Sequence, residues 1–312
     1  MDSTYTAYNK VLSTLFTGFA LCLIPIERAK SSEFEQQAEF ELRLDDNSNQ
    51  SAEFEYRVRY NPKIRFNDTW SLNSFIVTGN EYGSSHNTLD DGESDYLYMR
   101  RLYLRHQGDY GKTELGVIPT YKGRVSSSGL SKDGWIKGVR HVRKLGNDNL
   151  EIVLGELSTL DASKALQTPE TLNYIEIEYS ARIDQQWSYE ISAERMTGGN
   201  FVRTEMRYKT SELTTLFAEF IARLYETKYK TVWGLESEFA LANYPIEYFV
   251  HYAFVDDDFG LRAELTEDFL GTGHGIAGEL GGSINDSGLA WFAGFEAVEN
   301  NSRFQIGINW EL

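Results

Sequence analysis

The sequence predicts an all-β chain, a transmembrane antiparallel up-and-down β-barrel of about 16 strands, with 14 or 18 as the alternatives. Three observations predict it. The last nine residues, Phe304 to Leu312, carry a large apolar side chain at every second position, with Gln305, Gly307, Asn309 and Glu311 between. A period of two marks a strand with one apolar and one polar face. The same alternation recurs almost to the N-terminus, with no amphipathic-helix stretch between. The polar faces mix Glu with Arg rather than Ser with Thr, and hairpin follows hairpin, which disfavours the alternative of a soluble β-sandwich. A closed sheet is one of the two structures that satisfy their own backbone in lipid.

Composition agrees. The chain has 312 residues, with 19 Tyr and 18 Phe, a supply that suits interfacial aromatic girdles. Mean hydropathy is −0.43, which reads as soluble only because half of each barrel strand is polar. A formal charge of −17 opposes nucleic-acid binding. The single cysteine, Cys22, excludes a disulfide framework within the chain and a Cys-based metal site. No cofactor is expected.

Residues 1–31 read as a signal peptide and 32–312 as the barrel. Val11 to Ile26 is an apolar run of signal-peptide length after Lys10, and Ala29-Lys30-Ser31 offers a small-x-small cleavage site. The alternative is an uncleaved anchor or buried helix. Leu21 disfavours Cys22 as a lipoprotein cysteine.

The strands then follow in order. Ala38 to Asp45 and Glu53 to Tyr60 alternate across the turn at Asn47–Gln50, and Asn67-Asp68 leads into Trp70–Thr78. Tyr82 to Glu93 reads as a polar loop. Tyr96–His106 is rich in Tyr and Arg, and its phase slips, which points to a bulge. Thr113–Val117 precedes an irregular stretch, Pro119 to Gly134, before Trp135–Leu145 and Leu150–Leu160. Ile175–Ile183, Trp187–Glu194, Val202–Lys209, Leu216–Leu224, Tyr229–Phe239 and Ile246–Phe254 are regular. Phe259–Leu265, Ile276–Ile284, Leu289–Ala297 and Arg303–Leu312 bring the raw count to 17. A barrel with both ends on one side needs an even number, so one boundary is wrong, and the Gly-rich Leu270–Gly282 stretch is the expected place. Aromatic residues at strand ends, among them Tyr82, Trp187, Tyr208 and Trp310, are expected at the interfaces.

The segment Arg100-Arg-Leu-Tyr-Leu-Arg105, then Gly108-Asp-Tyr-Gly111, then Leu115-Gly-Val-Ile-Pro119, together with the C-terminal strand, resembles bacterial outer-membrane porins. The departure is Leu312, where Phe is usual. The resemblance implies a Gram-negative outer membrane, contact with its lipid and lipopolysaccharide, insertion by the barrel-insertion machinery through the last strand, and a homotrimer or a monomer. It also implies a third loop folded into the barrel, which makes Pro119–Arg124 the candidate constriction, with Lys122, Arg124 and Lys132 facing an acidic wall. The alternative is an ordinary solvated outer loop.

With the apolar set facing lipid, the alternate set lines a lumen. The candidates are Arg43, Arg57, Arg59, Glu176, Glu178, Arg203, Glu205, Arg207, Glu236 and Glu238, joined by Arg101 and Arg105 where the bulge turns them inward, because Arg at mid-bilayer costs about 2–4 kcal/mol. Two readings stand: an open, charge-selective pore, or a polar face that pairs with itself and closes the lumen. Nothing points to an enzyme. None of the five histidines begins a His-x-Ser, and His86, near Asp90, Asp91 and Asp95, reads as a solvated loop residue. The expected function is passive, charge-biased diffusion of small hydrophilic solutes or ions. The alternative is a closed or specialised barrel serving export of a polymer or a partner protein.

Overall fold

The computed structural model describes residues 32–89, 97–120, 130–196, 198–241, 244–264, 271–284 and 288–312. The signal-peptide expectation on residues 1–31 lies outside them, as do Lys122, Arg124, Asp90, Asp91 and Asp95. Nineteen hydrogen-bonded stretches form one sheet. They are β1 (Glu33–Glu35), β2 (Ala38–Asn47), β3 (Glu53–Tyr60), β4 (Lys63–Arg65), β5 (Trp70–Thr78), β6 (Asn87–Thr88), β7 (Leu97–Gly108), β8 (Gly111–Pro119), β9 (Trp135–Leu145) and β10 (Asp148–Glu156). After them come β11 (Tyr174–Arg182), β12 (Trp187–Met196), β13 (Gly199–Lys209), β14 (Thr215–Arg223), β15 (Lys228–Leu241), β16 (Tyr244–Val255), β17 (Gly273–Ser283), β18 (Leu289–Val298) and β19 (Asn301–Glu311).

Three of the nineteen are continuations. Glu33 faces Arg65 in the register that sets Ala38 opposite Tyr60, so β1 extends β2. Lys63 faces Asn73 in the register that sets Tyr60 opposite Ile76, so β4 extends β3 past Pro62, which has no N–H to give the ladder. β6 rejoins the wall beside β3 after β5 has left it. Sixteen strands remain. Each pairs antiparallel with its neighbours, and β19 closes the ring on β2, from Glu311 opposite Glu39 to Arg303 opposite Asn47.

The start of β2 and the end of β19 meet at one rim, where Leu312 donates to the Ala38 carbonyl at 2.9 Å. The turns at this rim are short and closed by their own side chains. The Asn67 side-chain oxygen accepts from Trp70 N, Asp184 from Trp187 N and Ser211 Oγ from Thr214 N. The longer connections, which follow β6, β8, β10 and β16, all leave the opposite rim.

Outside, Ile177, Ile191, Val202, Phe220, Trp233, Ile276, Phe304, Ile306 and Ile308 are exposed to the surroundings of the barrel, as the alternation predicts. Trp187 and Tyr208 face each other in register at the terminal rim, ring centres 4.5 Å apart. Among the described residues there is no seventeenth strand. The described residues of the expected Phe259–Leu265 strand lie in the connection after β16, and Leu261–Glu264 is a single helical turn. Its alternation of Phe259, Leu261 and Ala263 mimics a strand over too few residues to separate the two periods. The excess therefore sat just before the Gly-rich stretch, which is the sound strand β17.

Candidate functional site

The inner face is divided into a packed half and an open half. In the packed half, Arg203 on β13 collects four carboxylates from four strands. It donates to Glu178 (3.3 Å), Glu190 (3.3 Å), Glu205 (2.7 Å) and Glu219. Arg207 donates to Glu205 at 2.6 Å and to Glu236 at 2.8 Å. Arg262, on the helical turn, reaches Glu194 at 2.7 Å. Tyr174 donates to Glu176 at 2.5 Å. Further round, Glu114 accepts from Arg140 (3.0 Å) and from Arg105 (2.9 Å). Glu176, Glu178, Arg203, Glu205 and Arg207 thus point inward as the alternation requires, but all are buried rather than open to water, the last four in a closed ion-pair cluster and Glu176 beneath the Tyr174 hydroxyl. Period two assigns a face; it does not distinguish a wet lumen from a filled one.

Above this cluster, at the loop rim, lies an apolar core inside the barrel. Inward-facing Ile118, Ile136, Val153, Met196, Phe201, Ile221 and Val255 pack with Tyr82, Leu130, Leu157, Ala162 and Phe259 from the connections. Tyr82 is therefore no interfacial aromatic. It is buried against Trp135, ring centres 4.8 Å apart, and donates to the Trp135 carbonyl. Gly134 permits this approach, since a Cβ there would lie 2.6 Å from the Tyr82 ring.

The wall between β3 and β5 holds the feature that sequence reasoning missed. The ladder runs as far as Arg59 opposite Val77. In that register Glu55 would face Glu81; it faces Thr88 instead, seven residues further along. Residues 79–85 are an insertion that leaves the wall, enters the lumen and returns to the same neighbour. Gly79 makes the departure at φ +70°, and a Cβ there would sit 2.8 Å from the Ser85 backbone. Thr78 Oγ1 donates to the Ser85 carbonyl at 2.7 Å and closes the neck.

Bulged β7 supplies the anchor. Phe75 faces Arg101 while Ile76 faces Met99, so Arg100 is the extra residue. Arg100 donates to the carbonyls of Thr78 (3.1 Å), Gly79 (2.7 Å) and Ser84 (3.0 Å). Arg101 donates to the Gly134 carbonyl at 2.8 Å and to that of Lys132, and lies over the Phe75 ring. The slip of phase expected in this strand is real, and both arginines are buried.

His86 closes the excursion. Its side chain is 6 % exposed and meets Glu41 at 2.8 Å, so it is not the solvated loop histidine expected. Burial, together with the nearby Arg57 and Arg43 guanidinium groups, pushes it down to about 3, against the opposing hydrogen bond to Glu41. Beside it, Asp133 accepts from Ser85 and from Arg59 at 2.9 Å. Although burial raises its pKa, the Arg59 and Arg57 charges outweigh this and hold it well below the usual carboxylate range. A Gly-Ser-Ser-His stretch carries no sequence signal that separates this fate from an ordinary loop.

The open half holds two cavities. One, of about 520 Å³, is lined by Arg43, Arg57, Arg59, Ser84, His86, Lys132, Asp133, Glu279, Glu296 and Arg303. The other, of about 490 Å³ toward the terminal rim, is lined by Lys209, Glu212, Glu236, Glu238, Glu247 and Glu279. Both include Glu247, Glu279 and Gly281, so they adjoin. The arginines are matched: Arg43 to Glu55 at 2.6 Å, Arg57 to Glu39 at 3.1 Å and Arg59 to Glu39 at 3.1 Å. Glu238 and Glu247 stand directly opposite each other on β15 and β16. Among the described residues neither has an ion-pair partner. The open half is thus balanced on its β2–β3 wall and acidic on its β15–β17 wall.

No protein-family model matches the chain, and no curated protein matches it. Solved structures do. An engineered triple mutant of the Rhodopseudomonas blastica porin matches with a TM-score of 0.63 at 9 % identity, over 90 % of this chain and 100 % of that one. A double variant of OccD1 (OprD) matches at 0.54 and 9 % identity, over 91 % and 97 %. OmpT, an outer membrane protein of Vibrio cholerae, with loop L8 deleted, matches at 0.54 and 11 % identity, over 91 % and 100 %. At such identities the likeness concerns the path of the backbone alone. The chain is a closed sixteen-stranded antiparallel barrel with the fold of the porins.

Proposed function

We propose that the protein is a diffusion pore of a Gram-negative outer membrane, passing small hydrophilic solutes or ions with a bias toward cations. The adjoining polar cavities along the β15–β19 and β2–β3 side carry this reading. They give an off-centre route, while the Arg203 cluster fills the rest of the cross-section. Glu238 and Glu247 supply fixed negative charge beside the route, and a ring or wall of one sign selects the opposite ion. Single-channel recording of the folded chain in a planar bilayer under a salt gradient tests it. Steady openings with a cation-selective reversal potential are expected; a folded, silent barrel would overturn it.

The apolar core at the loop rim favours a second reading, a barrel closed at that end that serves another surface task. Silence in the same recording is its expected result.

A further inference from the structure

We propose that the excursion of residues 79–85 sets the bore of the pore and that Arg100 is the positioning residue that holds it there. This rests on the reading of the barrel as a diffusion pore. The excursion is not a loop at the rim but an interruption within a wall strand. β3 would accept β5 straight on, yet seven residues are diverted and the pairing resumes at Asn87. The diverted backbone carries Ser84, Ser85 and His86 to the edge of the larger cavity, against Arg57, Arg59 and Asp133. Whatever passes along that side passes them.

The cost of holding it is visible. Arg100 is fully buried, and among the described residues it makes no ion pair. Its Nη2 spends its donors on the neck of the excursion, and its Nε and Nη1 have no hydrogen-bond partner. A buried cation without a carboxylate is costly. The polar return on that cost is the position of residues 79–84.

The insertion can be removed without disturbing register. Deleting residues 79–85 joins Thr78 to His86. Asn87 then still faces Tyr56 and Thr88 still faces Glu55, as they do now. Inward and outward faces also keep their phase, since His86 already meets inward Glu41 and Asn87 already reaches outward Tyr56.

The experiment compares the wild-type chain with this deletion in planar bilayers. Conductance is expected to rise by about half or more, and liposome swelling to admit larger sugars, because the narrowed section governs passage. A second measurement covers a deletion that fails to fold. In a Cys22→Ser background, Ser84→Cys provides one thiol in the chain. A cationic methanethiosulfonate is expected to lower conductance in a discrete step. Adding Arg100→Gln should speed that labelling about tenfold, the worth of one charge-assisted hydrogen bond. A folded deletion variant with wild-type conductance, or a labelled Ser84→Cys variant with no step, overturns the proposal while the pore reading stands. A silent wild-type chain overturns both.

Discussion

Arg203 on β13 and Glu219 on β14 form an ion pair with no access to water, and three further carboxylates converge on the same guanidinium. One side chain therefore ties four adjacent strands across the inside of the sheet. Beside the apolar core at the loop rim, a charge network thus holds the sheet together on one side.

Removing that side chain is expected to be severe. Arg203→Ala leaves buried carboxylates from four strands facing one another without their common cation. Breaking a buried pair by deleting one partner costs about 3–5 kcal/mol. The measurement is the urea midpoint of the barrel in detergent, read as loss of the heat-modifiable gel shift. A midpoint within error of wild type would show that the cluster carries no net stability.

His86 gives the barrel a dependence on pH. It is held down to about 3 in the folded chain, whereas an exposed histidine titrates near 6.5. Below about 6.5 the unfolded or expelled residue binds a proton that the inserted one does not. Insertion is therefore favoured above that pH, and its stability falls as pH drops through the window from about 6.5 to about 3. The limiting slope is about 1.4 kcal/mol per pH unit. Glu41, which would welcome the proton, opposes this, and Arg57 and Arg43 reinforce it. Labelling of the Ser84→Cys variant, divided at each pH by the rate of a free thiol to remove the falling thiolate fraction, should accelerate from pH 7 to pH 4, and His86→Gln should flatten that profile. Equal profiles in the two proteins would exclude His86 as the titrating group.

The opposed pair Glu238 and Glu247 makes a prediction of the other kind, one of selectivity with little loss of stability. Like charges directly across a ladder destabilise it, so Glu247→Gln should be neutral or slightly stabilising. Each fixed charge is worth on the order of 1 kcal/mol to an ion at contact in water. The double change Glu238→Gln and Glu247→Gln should therefore lower the cation-to-anion permeability ratio several-fold. The reversal potential in a salt gradient reads this directly, and an unmoved potential would place selectivity elsewhere along the route.

How much of this was legible beforehand depends on range. The alternation in β11 to β19 fixes which face of each strand is apolar, because a strand reports its faces through nearest neighbours alone. The bulge at Arg100 was also legible, as a slip of phase within one strand. The excursion was not. Its identity lies in the difference between two pairings, Tyr60 with Ile76 and Tyr56 with Asn87, and neither residue type in a Gly-Ser-Ser segment encodes that difference. The burial of Glu176 and Arg203 was hidden for a related reason. Whether an inward charge meets water or another strand's charge depends on contacts across the barrel, such as Arg262 with Glu194, 68 residues apart.

The last strand offers the sharpest test of which face meets lipid. Ile308 and Asn309 are neighbours in β19 and point to opposite sides. Ile308 stands in line with Leu42 and Trp291 on the outer surface, while Asn309 donates to Glu39 inside at 3.1 Å. An arginine on a barrel's outer face costs about 2–4 kcal/mol at the bilayer midplane and less toward the interfaces, and the lumen imposes no such cost. Ile308→Arg should therefore reduce the fraction that folds into lipid vesicles, whereas Asn309→Arg, set beside Glu39, should fold as well as wild type. In a soluble sandwich the ranking would be lost or reversed, since an outward arginine would meet water and an inward one would not. Folding yields measured by gel shift for the two variants side by side decide it.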